Sequence, residues 1–290
     1  MNAIATANEL PPRELEGFLN ERWSSSGRIS DVDYLYPGKT KSRRIGYLKC
    51  RWGDKSLFVK WGRGLRVDPD LEANLTLIRS RHFRTPFFFG KGSIGKKDFA
   101  VWEHLSFPWF PHFQQCSFAQ LGQVVDMIAA INAASQMIKA KTPNARVGTL
   151  WVRPLADKTE SDYFARIEAM ALEKLGTLGE DFFSHNDIAY HNILLGEKVV
   201  LVDWELASFG APGASLRGLA ELSSEVQLRL AGRYSRRMQG HGYPVKEQDA
   251  YFVMGMMQVY FWLSHALSSG NGKLVRKALA AVPDFIERRL

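Results

Sequence analysis

No uninterrupted apolar run in the sequence reaches the roughly 20 residues that cross a bilayer. The most apolar stretch, YFVMGMMQVYFWL at 251 to 263, is short and is broken by Gly255 and Gln258. Cysteine is scarce: Cys50 and Cys116 lie far apart and fit neither a CxxC nor a Cys/His metal spacing, so the pattern reads as two free thiols in a reducing compartment. Ser/Gly-rich tracts and blocks of one charge are missing, which argues against a disordered chain. The first residues, MNAIATANELPPRELEG, carry no basic segment ahead of an apolar one, so no secretory leader is apparent. GxGxxG is absent, and although Gly38-Lys39-Thr40 occurs, Asp33 stands where a Walker A motif requires glycine. These absences leave a globular, cytoplasmic protein that is not a P-loop NTPase.

What is present is unevenly distributed. Residues 1 to 108 hold 19 Lys and Arg against 12 Asp and Glu, whereas 109 to 290 hold 19 against 18. A basic first third suits a polyphosphate ligand, an anionic surface or simply a solvated face. It is also the sole support for a nucleic-acid-binding module, since no aromatic RNA-binding or zinc-finger pattern accompanies it.

Local texture divides the chain in the same place. PRELEGFLNER at 12 to 22 has proline in the first turn and Leu15, Phe18 and Leu19 at helical spacing, which predicts a short amphipathic helix. Three β-like runs follow between 30 and 61, joined by turn residues that include Gly53-Asp54, and predict an antiparallel meander. Asp68-Pro69 reads as a helix cap with Glu72 one turn in, and PFFFGKGSIGKKDFAVWEHL returns to strands around a Gly/Lys turn. Beyond Pro108 helices are expected at 118–139, 160–174, 217–238, 246–269 and 272–281, interrupted only at 184–205.

That interruption, SHNDIAYHNILLGEKVVLVDWE, places His185, Asp187, Asn192 and Asp203 at the edges of two apolar strands. A hairpin turn at Gly196-Glu197-Lys198 would return the second strand and set Asp203 beside Asp187 and Asn192. Two carboxylates and an amide oxygen converging on one point are hard-oxygen ligands of the kind magnesium takes together with phosphate oxygens.

His185-Asn186-Asp187, Asn192, the apolar strand, Asp203-Trp204-Glu205 and Gly210-x-Pro212 together resemble the catalytic and metal-binding loops of the aminoglycoside phosphotransferase and choline kinase superfamily. That resemblance implies an α+β, two-lobed protein-kinase-like fold. A small β-rich N-lobe at 1–104, with a short N-terminal helix, would bind nucleotide. A larger, mainly helical C-lobe at 105–290 would hold the catalytic loop, the metal site and the acceptor, with a hinge near 103 to 108. It further implies a lysine on the third N-lobe strand and a glutamate in the next helix, and Lys60 and Glu72 stand there.

By the same resemblance Lys60 would hold the α- and β-phosphates of ATP with Glu72 orienting it, and backbone groups of Glu103, His104 and Leu105 would meet adenine. Asn192 and Asp203 would bind Mg2+, and Asp187 would accept or orient the proton of the attacking hydroxyl. The implied activity is ATP- and Mg-dependent transfer of the γ-phosphate to a hydroxyl of a small molecule: a sugar, an amino alcohol or an aminoglycoside-like metabolite.

Two departures stand out. Loop 36–44 lacks the glycine-rich pattern, leaving Thr40, Ser42 and loop amides as phosphate contacts, and Ser215 occupies a position where the family usually has an anchoring aspartate. Both keep open an alternative, a nucleotide-binding pseudokinase that acts as a regulator or scaffold. The aromatic set Tyr251, Phe252, Tyr260, Phe261 and Trp262 reads as helical core or as a substrate-stacking wall.

Overall fold

The computed structural model describes residues 10–35, 45–78, 80–142 and 154–290. Along the chain α1 (Pro12–Trp23) precedes β1 (Ile29–Leu35), β2 (Ile45–Trp52), β3 (Lys55–Gly62), α2 (Pro69–Leu75), β4 (Phe83–Arg84), β5 (Phe88–Ile94) and β6 (Lys97–Glu103). Then come α3 (Phe118–Ala133), α4 (Ser135–Lys141), α5 (Ala156–Thr159), α6 (Asp162–Leu178), β7 (Phe182–Ser184), β8 (Ile193–Leu195), β9 (Val199–Leu201) and β10 (Ser208–Gly210). The helices α7 (Ser224–Gly240), α8 (Glu247–Ser269), α9 (Gly272–Ala280) and α10 (Val282–Phe285) end it. The chain forms two compact units: one runs up to Leu77 and takes in Thr85–Phe107, the other holds Ile78–Arg84 and Pro108–Leu290.

The first unit is an antiparallel sheet in the order β1-β2-β3-β6-β5. Its β2–β3 and β5–β6 hairpins turn at Gly53-Asp54 and Gly95-Lys96, and both glycines sit at φ 61°. A Cβ at either would meet nothing, so glycine serves there for its left-handed backbone and not for space. Alternation sends Leu57 and Val59 to one face, where they pack with Leu48, Cys50, Phe99, Val101 and the α1 residues Leu15 and Leu19. Burial pushes the Cys50 thiol up to about 12, so this free cysteine behaves as a small apolar residue. Asp68 caps α2 by accepting from the N–H groups of Asp70 (3.0 Å) and Leu71 (3.2 Å).

The second unit is built on α3, α6, α7 and α8, with α8 running through its core. Among the described residues no helix is long and apolar enough to cross a membrane. Buried Asp126 on α3 accepts two bonds each from Arg233 and Arg237 of α7, at 2.7 to 2.9 Å. The β8–β9 hairpin carries a third strand: β4, five residues beyond the exchange point at Ile78, pairs parallel with β9. A separate pair joins β7 to β10.

The single helix expected at 118–139 is divided at Ala134. Ser135 Oγ donates to the carbonyl of Asn132 and accepts from Phe183 N at 2.7 Å, which ties the break to β7. The helix expected at 217–238 begins only at Ser224, because Ala214–Leu219 winds as a tighter 3-10 segment. Close approach explains that winding: a Cβ on Gly218 would lie 1.8 Å from the carbonyl oxygen of Ile188.

Candidate active site

The loop after β7 is built by polar groups that no ladder supplies. Asn186 adopts φ 63°, a left-handed conformation that costs an L-residue roughly 1–2 kcal/mol and that asparagine tolerates best. Four hydrogen bonds hold it there. Its Nδ2 is shared among Ser184 O (3.3 Å), Leu206 O (3.1 Å) and Ser208 Oγ (2.9 Å), and its N–H donates to Ser215 Oγ at 3.2 Å. At about 0.5–1.5 kcal/mol net for each of the three hydrogens donated, they offset the strain. Ser215 thus supplies an acceptor to this loop from the position where the resemblance implies an aspartate.

His185 is fully buried. Its Nδ1 accepts from the N–H of Asp187 at 3.2 Å and its Nε2 donates to Val202 O at 3.0 Å, an assignment that requires the neutral ring protonated on Nε2. Burial lowers its proton affinity, against the raising influence of Asp187 and Asp203, whose carboxylates both act on this ring. The indole of Trp204 packs edge-on to it at 4.7 Å.

Asp187 follows with 31 % of its side chain exposed. Asn192 Nδ2 donates to its Oδ2 (3.0 Å) and to its backbone carbonyl (2.9 Å), and Arg217 Nη2 donates to Oδ1 at 3.3 Å. A carboxylate offers about four lone-pair sites, so capacity for an incoming hydroxyl remains. The backbone then closes the hairpin end: Val202 N donates to Asn192 O at 3.0 Å, and Asp203 adopts φ 65° at the head of the 3-10 turn Trp204–Leu206. Another non-glycine residue in the left-handed region marks a backbone held by its surroundings.

With both Nδ2 hydrogens on Asp187, the amide oxygen of Asn192 is the atom turned away from it. An amide oxygen and a carboxylate such as that of Asp203 are ligand types that magnesium takes together with water and phosphate oxygens. Among the described residues no group of three or more His, Cys, Asp or Glu could hold a metal.

The remaining expected residues belong to the first unit. Lys60 pairs with Tyr47 and Ala100 across the sheet and faces away from the Val59 core, its Nζ 5.9 Å from the Tyr47 ring centre. Glu72 reaches the same face: its Oε2 accepts from the indole of Trp102, at 3.0 Å. Both charges are buried, at 7 % and 6 % exposure. Glu103 ends β6 and His104 follows it, their N–H groups donated to Phe87 O and Ser56 O, both at 2.8 Å, and Glu103 Oε2 also accepts from Phe87 N. Leu105 follows as the first residue past that ladder. Thr40, Ser42 and their loop lie outside the described residues.

Direct bonds therefore join Asp187 to Asn192, and the Val202 N–H bond to Asn192 O sets the backbone just before Asp203. Sequence reasoning missed Arg217, Gly218 and Asn132. The last donates from Nδ2 to Phe183 O at 2.6 Å and accepts from Gly213 N at 3.2 Å, bracing both ends of the site. No local pattern signals them, because their partners lie far along the chain, 51 residues away for Asn132 and 30 for Arg217.

No protein-family model and no curated protein sequence matches the chain. Solved structures do. A thermostable variant of an aminoglycoside phosphotransferase, in complex with ADP and hygromycin B, is 15 % identical with a TM-score of 0.53, covering 94 % of this chain and 98 % of its own. A spectinomycin phosphotransferase in complex with ADP and spectinomycin is 14 % identical with a TM-score of 0.57, covering 95 % and 94 %. The fold is the α+β protein-kinase-like fold. A choline kinase from Streptococcus pneumoniae is also similar, 13 % identical with a TM-score of 0.56 over 94 % of this chain and 100 % of its own.

Proposed function

We propose that the protein is an ATP- and magnesium-dependent phosphotransferase that moves the γ-phosphate to a hydroxyl of a small molecule. The observation that carries this reading is the Asp187 carboxylate, part-exposed and held on both oxygens by Asn192 and Arg217. Its exposed part leaves the carboxylate open to an incoming hydroxyl, an access that a proton acceptor requires. Likeness to structures bound to ADP supports the nucleotide half of the reading.

In this reaction the acceptor oxygen attacks the γ-phosphorus, its bond to the bridging oxygen breaks, ADP leaves with that electron pair, and the hydroxyl proton passes to Asp187. Lys60 neutralises the α- and β-phosphates, Glu72 orients Lys60, and backbone groups of Glu103, His104 and Leu105 meet adenine. Asn192 and Asp203 hold magnesium, which when bound neutralises charge on the polyphosphate. His185, kept neutral, fixes the Asp187 backbone from behind.

The test is ADP formation by the purified protein with Mg-ATP and a panel of sugars, amino alcohols and aminoglycosides, the product identified by phosphorus NMR. Acceptor-dependent turnover that stops with EDTA is expected. Mg-ATP binding with no turnover on any acceptor would favour the regulatory pseudokinase instead.

A further inference from the structure

Arg217 is buried, with 8 % of its side chain exposed. Removing a guanidinium from water is costly, and such a residue persists where its charge and its planar donors are used. Its Nη2 donates to Asp187 Oδ1 at 3.3 Å and to Asn186 O at 3.4 Å, and its guanidinium lies 4.1 Å from the ring centre of Phe261. These bonds are longer than the 2.7–2.9 Å of a tight charged pair, so they aim the carboxylate more than they clamp it.

Phe261 differs from the other aromatics of α8. Phe252 and Tyr260 are sealed in the core, Trp262 packs on Phe285 at 5.3 Å, and Tyr251 carries Arg289 at 3.8 Å. Phe261 is the member of the set that carries Arg217, and a ring beneath a guanidinium fixes its plane. Asp187 is consequently held from two elements, by Asn192 on Oδ2 and by Arg217 on Oδ1.

We infer that Arg217, braced by Phe261, is a positioning residue that sets the orientation of the Asp187 carboxylate for phosphoryl transfer. The inference rests on the phosphotransferase reading of Asp187. Phosphoryl transfer depends mainly on alignment, so a carboxylate released on one side loses rate without losing nucleotide.

The experiment compares R217K, R217M, R217A and F261L in the full chain. Kinetics are measured with Mg-ATP and an acceptor that the wild type turns over, and urea unfolding is measured for R217M, D187N and the double variant. R217M should lower kcat by about 10- to 100-fold while KM for ATP stays within about twofold, the pattern of an interaction used after binding. R217K should recover part of the loss, free guanidinium should raise kcat of R217A but not of wild type, and F261L, which keeps the charge, should lose a few-fold. R217M with kcat within about twofold of wild type, or R217A insensitive to guanidinium, overturns the inference. If the wild type turns over no acceptor, the phosphotransferase reading fails, and the unfolding cycle still decides the pair. Dependence of the D187N effect on residue 217 upholds the link between them, and additive effects overturn it.

Discussion

Lys60 sits within a regular antiparallel ladder, bonded on one side to β2 and on the other to β6, while Asp187 sits in a loop where almost every constraint comes from a side chain. In the ladder, direction follows from period two, and a neighbour can change without turning the lysine. In the loop, the direction of Asp187 depends on Asn192, Arg217, Ser215, His185 and the positive φ of Asn186, drawn from positions up to 30 residues away. The direction of Lys60 is therefore robust and that of Asp187 sensitive. Substitutions that spare one residue and damage the other test that contrast.

The largest effect belongs to Asp187→Asn. Turnover should fall by roughly 10²–10⁴-fold, the usual contribution of a general base, with Mg-ATP affinity retained by calorimetry. An equal loss of Mg-ATP affinity would erase the contrast. Gly218→Ala comes next, since its Cβ meets the Ile188 carbonyl at 1.8 Å and the loop must move. Urea unfolding should register about 1–3 kcal/mol of destabilisation, with kcat reduced even where the protein is folded. Lys60→Met should do the reverse, raising KM for ATP about tenfold or more through loss of charge-assisted bonds while the melting temperature holds; an unchanged KM removes Lys60 from phosphate binding.

Ser215→Ala leaves the buried N–H of Asn186 without its acceptor and should cost about 1–3 kcal/mol, measured by denaturant midpoint at constant slope. The smallest effect is on pH dependence. Burial lowers the proton affinity of folded His185 below its ordinary 6.5, so the unfolded chain takes up the proton first as pH falls. This contribution is therefore fully present above about 6.5 and declines below it, by at most about 1.4 kcal/mol per pH unit. His185→Gln should flatten that acid decline relative to wild type, and parallel curves would show that His185 does not drive it.

Much of this was legible beforehand for a physical reason. Two-residue turns with glycine, the Asp68 cap and the alternation of β2, β3 and β6 are local, and local rules placed Lys60 and Glu72 on their elements. The hairpin at 196–198 was equally local, and it set the spacing from Asn192 to Asp203. Helix limits were less legible: the break at Ala134 depends on Ser135 reaching Phe183, 48 residues away, and the 3-10 segment at 214–219 depends on Gly218 meeting Ile188. The parallel pairing of Phe83–Arg84 with Val199–Val200 left no trace in either segment.

By itself, then, the sequence determined which chemistry-bearing residues exist, in what order and on what kind of element, because propensity, period and turn chemistry act over a few residues. Tertiary structure alone decided how Asp187 is aimed. Arg217 looks like any helical arginine until burial against Phe261 removes its water and turns it to the carboxylate, and Ser215 looks like a loss until its hydroxyl is found on the Asn186 amide. Desolvation and hydrogen bonding between residues far apart in the chain have no local signature, since their energies arise only when folding brings the partners together.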